Sequence, residues 1–95
     1  MLEYLKSHIQ EEIDGAVDYM TKAVEHKGTA CGETFYQLAQ VELTHANTLY
    51  SMFSKQTRGA DIPEKTYSDM LKAILDKYMV GMSKVEALKK LYYTK

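Results

Sequence analysis

The chain has 95 residues, of which 45% are hydrophobic and 26% charged, and its formal net charge is −1 at pH 7. This near-neutral charge provides no basic field for nucleic acid or an anionic membrane surface. One cysteine, Cys31, excludes an intrachain disulfide and a four-cysteine metal site. No apolar run approaches the ~20 residues that a spanning helix needs, and the N-terminus lacks the pattern of a signal peptide. We therefore expect a soluble cytoplasmic protein that binds neither nucleic acid nor membrane.

The first predicted helix runs from Leu2 to about His26. When successive residues are placed about 100° apart around a helix, its apolar residues share one face: Leu2, Leu5, Ile9, Ile13, Ala16, Val17, Met20 and Val24. The stretch KGTACGE then interrupts the pattern with two glycines. Gly28 is the predicted C-cap of this helix, and Thr29 is the predicted N-cap of the next one.

The second predicted helix runs from Ala30 to about Lys55, and its apolar stripe consists of Phe35, Leu38, Ala39, Ala46, Leu49 and Phe53. The short connection makes the two helices antiparallel neighbours, so residues 2–56 are predicted to form a helical hairpin. Two helices bury little surface, and a domain of this length is only marginally stable alone. We therefore expect the hairpin to pair with that of a second chain in a four-helix bundle.

The third predicted element is a C-terminal helical segment over residues 62–93. It follows a turn, TRGADIP, in which Asp61 and Glu64 have capping-box spacing and Pro63 falls in the first helical turn. Its apolar residues are Tyr67, Leu71, Ile74, Leu75 and Tyr78. The whole chain, residues 1–95, is therefore predicted to be one all-α domain.

Residues 80–86, with the sequence VGMSKVE, leave two descriptions of this segment open. Gly81 weakens a helix, and Ser83 with Glu86 forms a second capping-box pattern that would start a new helix. The segment is therefore either one long helix or two. The pattern places no carboxylate or histidine on its inner face.

The stretch VELTHA places a carboxylate and an imidazole within the stripe of the second helix. Glu42 lies between Ala39 and Ala46, and His45 lies on the flank of the same stripe. A buried carboxylate without a partner is costly or stays protonated. The two small neighbours leave room for an ion, and Glu-x-x-His spacing places both side chains within reach of it. Carboxylate and imidazole ligands together predict a site for iron, manganese or zinc.

The first helix supplies a complementary ligand. Helical periodicity places Glu12 beside the apolar stripe and Glu11 on the far side. Each chain thus offers Glu12, Glu42 and His45, whereas a di-iron carboxylate bundle needs twice that set of ligands. A homodimer, or a larger even-numbered homo-oligomer, would complete the site. Metal is then expected to stabilise the assembly.

The order and spacing of these residues resemble the first half of a rubrerythrin or ferritin-like domain. The matching positions are Glu12, Tyr19, Gly28, Phe35, Ala39, Glu42, His45, Ala46 and Leu49. The second half of that domain is missing, and in this respect the chain resembles the encapsulated ferritins, whose dimers assemble a ferroxidase site between chains. The resemblance implies that Glu12, Glu42 and His45 are iron ligands and catalytic residues in Fe(II) oxidation. It also implies an encapsulin shell as a partner and a location inside that protein nanocompartment.

Two other functions stay open. Rubrerythrins that reduce peroxide usually carry a four-cysteine iron site for electron delivery, and this chain has one cysteine. A peroxide reductase of this type would therefore need an external electron donor. The structural alternative is a non-enzymatic helical bundle, whose polar core is hydrogen-bonded and only fixes the pairing of helices.

Two further residues near the predicted ligands are secondary candidates. His8 lies one turn before Glu12 and is either an outer metal ligand or a partly exposed surface histidine. Tyr19 lies near the ligand face. It either donates a hydrogen bond to a ligating carboxylate or packs its ring at the boundary of the core.

Overall fold

A computed structural model describes residues 1–59 and 64–94 of the chain. It contains three helices, α1 (Leu2–Glu25), α2 (Ala30–Gly59) and α3 (Glu64–Tyr93), and the described residues form no strand. The prediction of an all-α fold is thereby confirmed. Among the described residues, no helix has both the length and the apolar character that crossing a membrane requires.

The second connection begins later than the sequence pattern predicts. Helix α2 continues beyond Lys55 as far as Gly59, so the first residues of the expected turn are helical. The predicted capping residue Asp61 and the predicted first-turn residue Pro63 lie outside the described residues. Glu64 is the first residue of α3.

Two residues, Gly28 and Thr29, determine the conformation of the turn between α1 and α2. Gly28 has a φ of +84°, a left-handed conformation that glycine adopts without strain. It follows the C-cap by two residues, because α1 ends at Glu25 and His26 is the cap. Thr29 is the N-cap of α2 as predicted, since its Oγ1 accepts a hydrogen bond from the Gly32 N–H at 3.1 Å.

The hydrophobic core lies along α1, which contributes half of the buried apolar residues in the described part of the chain. The core comprises Leu5, Ile9, Ile13, Ala16, Met20 and Ala23 of α1, Ala39, Leu43, Ala46 and Phe53 of α2, and Ile74 and Val85 of α3. Two predicted core residues are instead exposed, Leu38 by 39% and Leu75 by 40%. Each is adjacent in sequence to a residue at the centre of a helix contact. One position along a helix rotates the side chain by about 100° around the helix axis, which turns these two away from the contact.

Helix α3 is continuous through Gly81, so the alternative of two helices is wrong. A Cβ atom at Gly81 would lie 2.0 Å from Cγ2 of Ile13, which means that the missing side chain is what allows α3 to approach α1. Ser83 and Glu86 are exposed positions within this helix and start no new one. The close contact between α1 and α3 outweighs the weak helix propensity of one glycine, about 1 kcal/mol.

Tyrosine side chains join α3 to α2. The rings of Tyr50 and Tyr78 lie 5.0 Å apart between their centroids, and those of Tyr36 and Tyr92 lie 4.8 Å apart. The Tyr93 hydroxyl also donates a hydrogen bond to the Tyr36 hydroxyl at 2.8 Å. These contacts hold α3 against one side of the hairpin.

The direction of α3 follows from where its residues meet the hairpin. Gly81 lies beside Ile13 near the middle of α1. Farther along both helices, Lys27 donates hydrogen bonds to the carbonyl oxygens of Leu91, at 3.0 Å, and Thr94. Helices α1 and α3 are therefore parallel, and a cation lies at the C-terminal end of α3, where the helix dipole favours it.

Candidate metal centre

Three side chains from the two helices of the hairpin converge at one point. Glu12 comes from α1, and Glu42 and His45 come from adjacent turns of α2. One ligand atom from each residue lies within 4.8 Å of the other two. The structure thus brings together, within a single chain, the three residues that the sequence pattern selects as ligands.

These three residues lie at the edge of the helix contact. Ala39 and Ala46 occupy its centre and are fully buried, whereas Glu42 is half-buried beside them. The His45 side chain is 55% exposed and the Glu12 side chain 23%. The expectation that Glu42 lies near the centre of a buried stripe is therefore corrected, and the group faces both the core and solvent.

Glu12 has an oxygen atom without a hydrogen-bond donor. Its Oε2 is buried and accepts no hydrogen bond. The nearest cationic candidate is Nδ1 of His45, 3.5 Å away. A buried carboxylate oxygen in this condition loses its hydration without compensation, so a cation bound between Glu12 and His45 would fit the site.

The two carboxylates affect each other directly. The pKa of Glu42 is raised from 4.5 to about 7, first by a side-chain hydrogen bond to Glu12, then by burial and by the negative charge of Glu12. His45 opposes this shift by lowering the pKa. Glu42 therefore retains its proton to a higher pH than an ordinary glutamate does. A metal ion would displace that proton, because it binds the charged form of a carboxylate.

Gly15 makes room for the Glu42 carboxylate, and the sequence analysis did not identify it. A Cβ atom at Gly15 would lie 3.2 Å from Oε2 of Glu42, which is closer than ordinary contact. The sequence feature that indicates this role is a glycine inside a predicted helix, three residues after Glu12 and on the same side. Such a glycine costs about 1 kcal/mol of helix stability, and here it permits the two carboxylates to approach.

The group of Glu12, Glu42 and His45 lies on a side of the hairpin that α3 does not cover. On α2, His45 is roughly 180° around the helix from Tyr36, which contacts α3. The residues around His45 on this side include Leu38, Val41 and Met52, which are 39%, 49% and 42% exposed. We call the surface formed by these four residues the open face.

The secondary candidates do not join the group. Nδ1 of His8 lies 3.4 Å from Oε2 of Glu11, and its ring lies 4.1 Å from that of Tyr4. The Tyr19 ring stacks on Phe35 at 6.2 Å. Within residues 1–59 and 64–94, no hydrogen bond joins Tyr19 to a carboxylate of the group.

The arrangement supplies two carboxylates and one imidazole, a ligand set that suits iron, manganese or zinc. Three protein ligands leave coordination positions free for a substrate or for residues of another chain. The exposure of His45 means that these positions are open to solvent.

Comparison of the chain with protein-family models, with characterised proteins and with solved structures finds no match.

Proposed function

We propose that the protein is a ferritin-like iron-handling protein that binds Fe(II) and oxidises it at a site shared by two chains. The observation that carries the proposal is the convergence of Glu12, Glu42 and His45 within 4.8 Å, at the edge of the core. Oε2 of Glu12 supports it, because this buried oxygen accepts no hydrogen bond and its contact with Nδ1 of His45 is long, at 3.5 Å.

The open face supports a second chain as the source of the remaining ligands. Its exposed apolar residues surround His45, and they would be buried if two hairpins packed face to face. Two copies of Glu12, Glu42 and His45 amount to four carboxylates and two imidazoles. That is the ligand set of di-iron carboxylate bundles, and the four negative charges would balance two divalent cations.

In this proposal Fe(II) is the substrate, and the residues of the chain bind and position it. Two Fe(II) ions each lose one electron, and dioxygen takes up both electrons with two protons to form hydrogen peroxide. Glu12 and Glu42 hold the two ions close together and favour the more highly charged Fe(III) state. Glu42 must lose its proton for binding, so each loading event releases protons.

The test compares Glu42→Gln with Glu11→Gln. Both changes remove one carboxylate from the hairpin and preserve side-chain size, but Glu11 is exposed and pairs with His8. We expect Glu42→Gln to lower the rate of Fe(II) oxidation by about 100-fold or more, since it removes a charged ligand from each half of the site. The Glu11→Gln chain should retain the wild-type rate, measured by oxygen uptake and ferric absorbance.

One specific observation favours a second function, an inert polar cluster that only fixes helix pairing. Glu12 already contacts His45 at 3.5 Å and shares a proton with Glu42, so the group partly satisfies itself. If Glu42→Gln oxidises iron as fast as the wild type, or if anaerobic Fe(II) leaves no metal on the chain, this structural role replaces the proposed one.

A further inference from the structure

A groove runs between α1 and α3, on a different side of the molecule from the open face. Its volume is about 530 Å³. Ile13 and Val17 of α1 and Val80 and Gly81 of α3 form its apolar lining. Val80 is 56% exposed. This surface has no role in the proposed metal site.

The two rims of the groove carry opposite charges. The α1 rim has Asp14 and Asp18, and the α3 rim has Lys77 and Lys84, with Asp76 beside Lys77. Asp14 accepts a hydrogen bond from Gln10 at 2.8 Å. In the described part of the chain, no ion pair is formed by Asp14, Asp18, Lys77 or Lys84, either across the groove or elsewhere.

The charged residues also lie at matching heights along the groove. Because α1 and α3 are parallel and Gly81 lies beside Ile13, residues at equal distances from this contact are level with each other. Lys84 follows the contact by three residues, while Asp14 and Asp18 follow it by one and five. At about 1.5 Å per residue, Lys84 therefore lies midway in height between the two aspartates.

We propose that a second copy of this chain docks on the groove, related by a two-fold axis parallel to it. Such an axis keeps every residue at its own height and brings the α1 rim of each copy against the α3 rim of the other. Lys84 of one copy then lies between Asp14 and Asp18 of the other, and this contact occurs twice. A two-fold axis across the groove would instead place aspartate against aspartate.

The apolar lining and the rims have separate roles in this contact. Val17 and Val80 from both copies supply the apolar area that docking buries. Exposed ion pairs add little affinity, but they determine which rims meet and therefore the direction of the axis. This interface is independent of the proposed metal site. A chain that uses both the groove and the open face would assemble beyond a dimer.

The test is sedimentation velocity of metal-free chains in excess chelator, with folding checked by circular dichroism. We expect wild-type chains to self-associate, and increasingly so as the salt concentration falls. Lys84→Glu places a negative charge midway in height between Asp14 and Asp18 and should weaken self-association about tenfold or more. Lys72→Glu is the matched control, because Lys72 is an exposed α3 residue outside the groove, and it should leave self-association unchanged.

A second experiment exchanges the charges of the two rims. The Asp14→Lys/Asp18→Lys chain should also fail to self-associate, yet it should form mixed pairs with the Lys84→Glu chain, since their rims are again complementary. Equal self-association of the Lys84→Glu and Lys72→Glu chains, or a monomeric wild type at every concentration, would overturn the proposal. Iron binding by Lys84→Glu chains is measured separately. A failure to bind iron would contradict the proposed metal site but not the proposed docking on the groove.

Discussion

We expect the site to respond in opposite ways to pH with and without metal, because a metal ion and a proton would compete for Glu42. In the metal-free protein a hydrogen bond to Glu12, burial and the negative charge of Glu12 raise the pKa of Glu42 to about 7. A cation would stabilise the charged form of both residues instead. Stability in chelator and metal affinity should consequently change in opposite directions across neutral pH.

Metal-free chains should become less stable as the pH rises from about 5 to about 8. The folded chain holds the Glu42 proton up to a pH of about 7, whereas the ordinary value, expected of the unfolded chain, is 4.5. Between these values the folded state binds more protons, so the free energy of unfolding falls with rising pH. Thermal melting in chelator measures this dependence.

The Glu42→Gln chain is the control for this prediction, because a glutamine has no proton to lose in this range. Its melting temperature should decline less over the same pH interval, because the raised pKa of Glu42 is absent from it. In the wild type, metal affinity should rise as the pH increases through about 7. Identical pH slopes for the two metal-free chains would show that Glu42 and Glu12 do not share a proton.

At the scale of the helices, the contact of α1 with α3 depends on the absence of one side chain. Local propensity disfavours glycine in the middle of a helix by about 1 kcal/mol. At Gly81 the tertiary contact reverses that preference, because an added methyl would overlap Cγ2 of Ile13 at 2.0 Å. Two carbon atoms in ordinary contact lie about 3.5–4.0 Å apart.

We therefore expect Gly81→Ala to destabilise the fold by about 1–3 kcal/mol, the cost of overpacking, although helix propensity alone would predict a gain. Urea unfolding measures the difference. In the Gly81→Ala background, Ile13→Ala should cost less than it does in the wild type, since it removes the overlapping atoms. Additive effects of the two changes would mean that α3 does not pack on Ile13 as described.

At the scale of the whole molecule, one chain is a narrow body of 50 × 18 × 14 Å with α3 on one side of the hairpin. The open face on another side carries exposed apolar residues around His45, which belongs to the group of Glu12, Glu42 and His45. In a proposed dimer through this face, metal binding and chain pairing would be linked, because each ion would take ligands from both chains.

A charge placed on the open face should weaken metal binding without altering Glu12, Glu42 or His45. We expect Val41→Lys to lower Fe(II) affinity about tenfold or more and to prevent metal-induced pairing, because it would bury an unpaired charge between two chains. Met79→Lys is the control, since Met79 is a comparably exposed apolar residue on α3. Native mass spectrometry with added Fe(II) counts metal and chains together, and unchanged loading of Val41→Lys would exclude a site shared through this face.

Much of the architecture was predictable because it depends on interactions between neighbours in sequence. Apolar spacing located the three helices, and the Thr29 N-cap was evident from residue type. The same periodicity separates half-buried Glu12 from exposed Glu11. The convergence of Glu12 with Glu42 and His45 followed as well, because a short connection makes two helices antiparallel and sets which turns lie side by side.

The sequence by itself therefore determined the helices, the hairpin and the identity of the three converging side chains, since periodicity and capping act within a few residues. Only the tertiary structure decided that α3 is continuous through Gly81, that Leu38 and Leu75 are exposed, and that Gly15 makes room for a carboxylate. These features depend on which atoms of a distant helix approach each position. Propensity differences of about 1 kcal/mol are too small to predict an outcome that such packing controls.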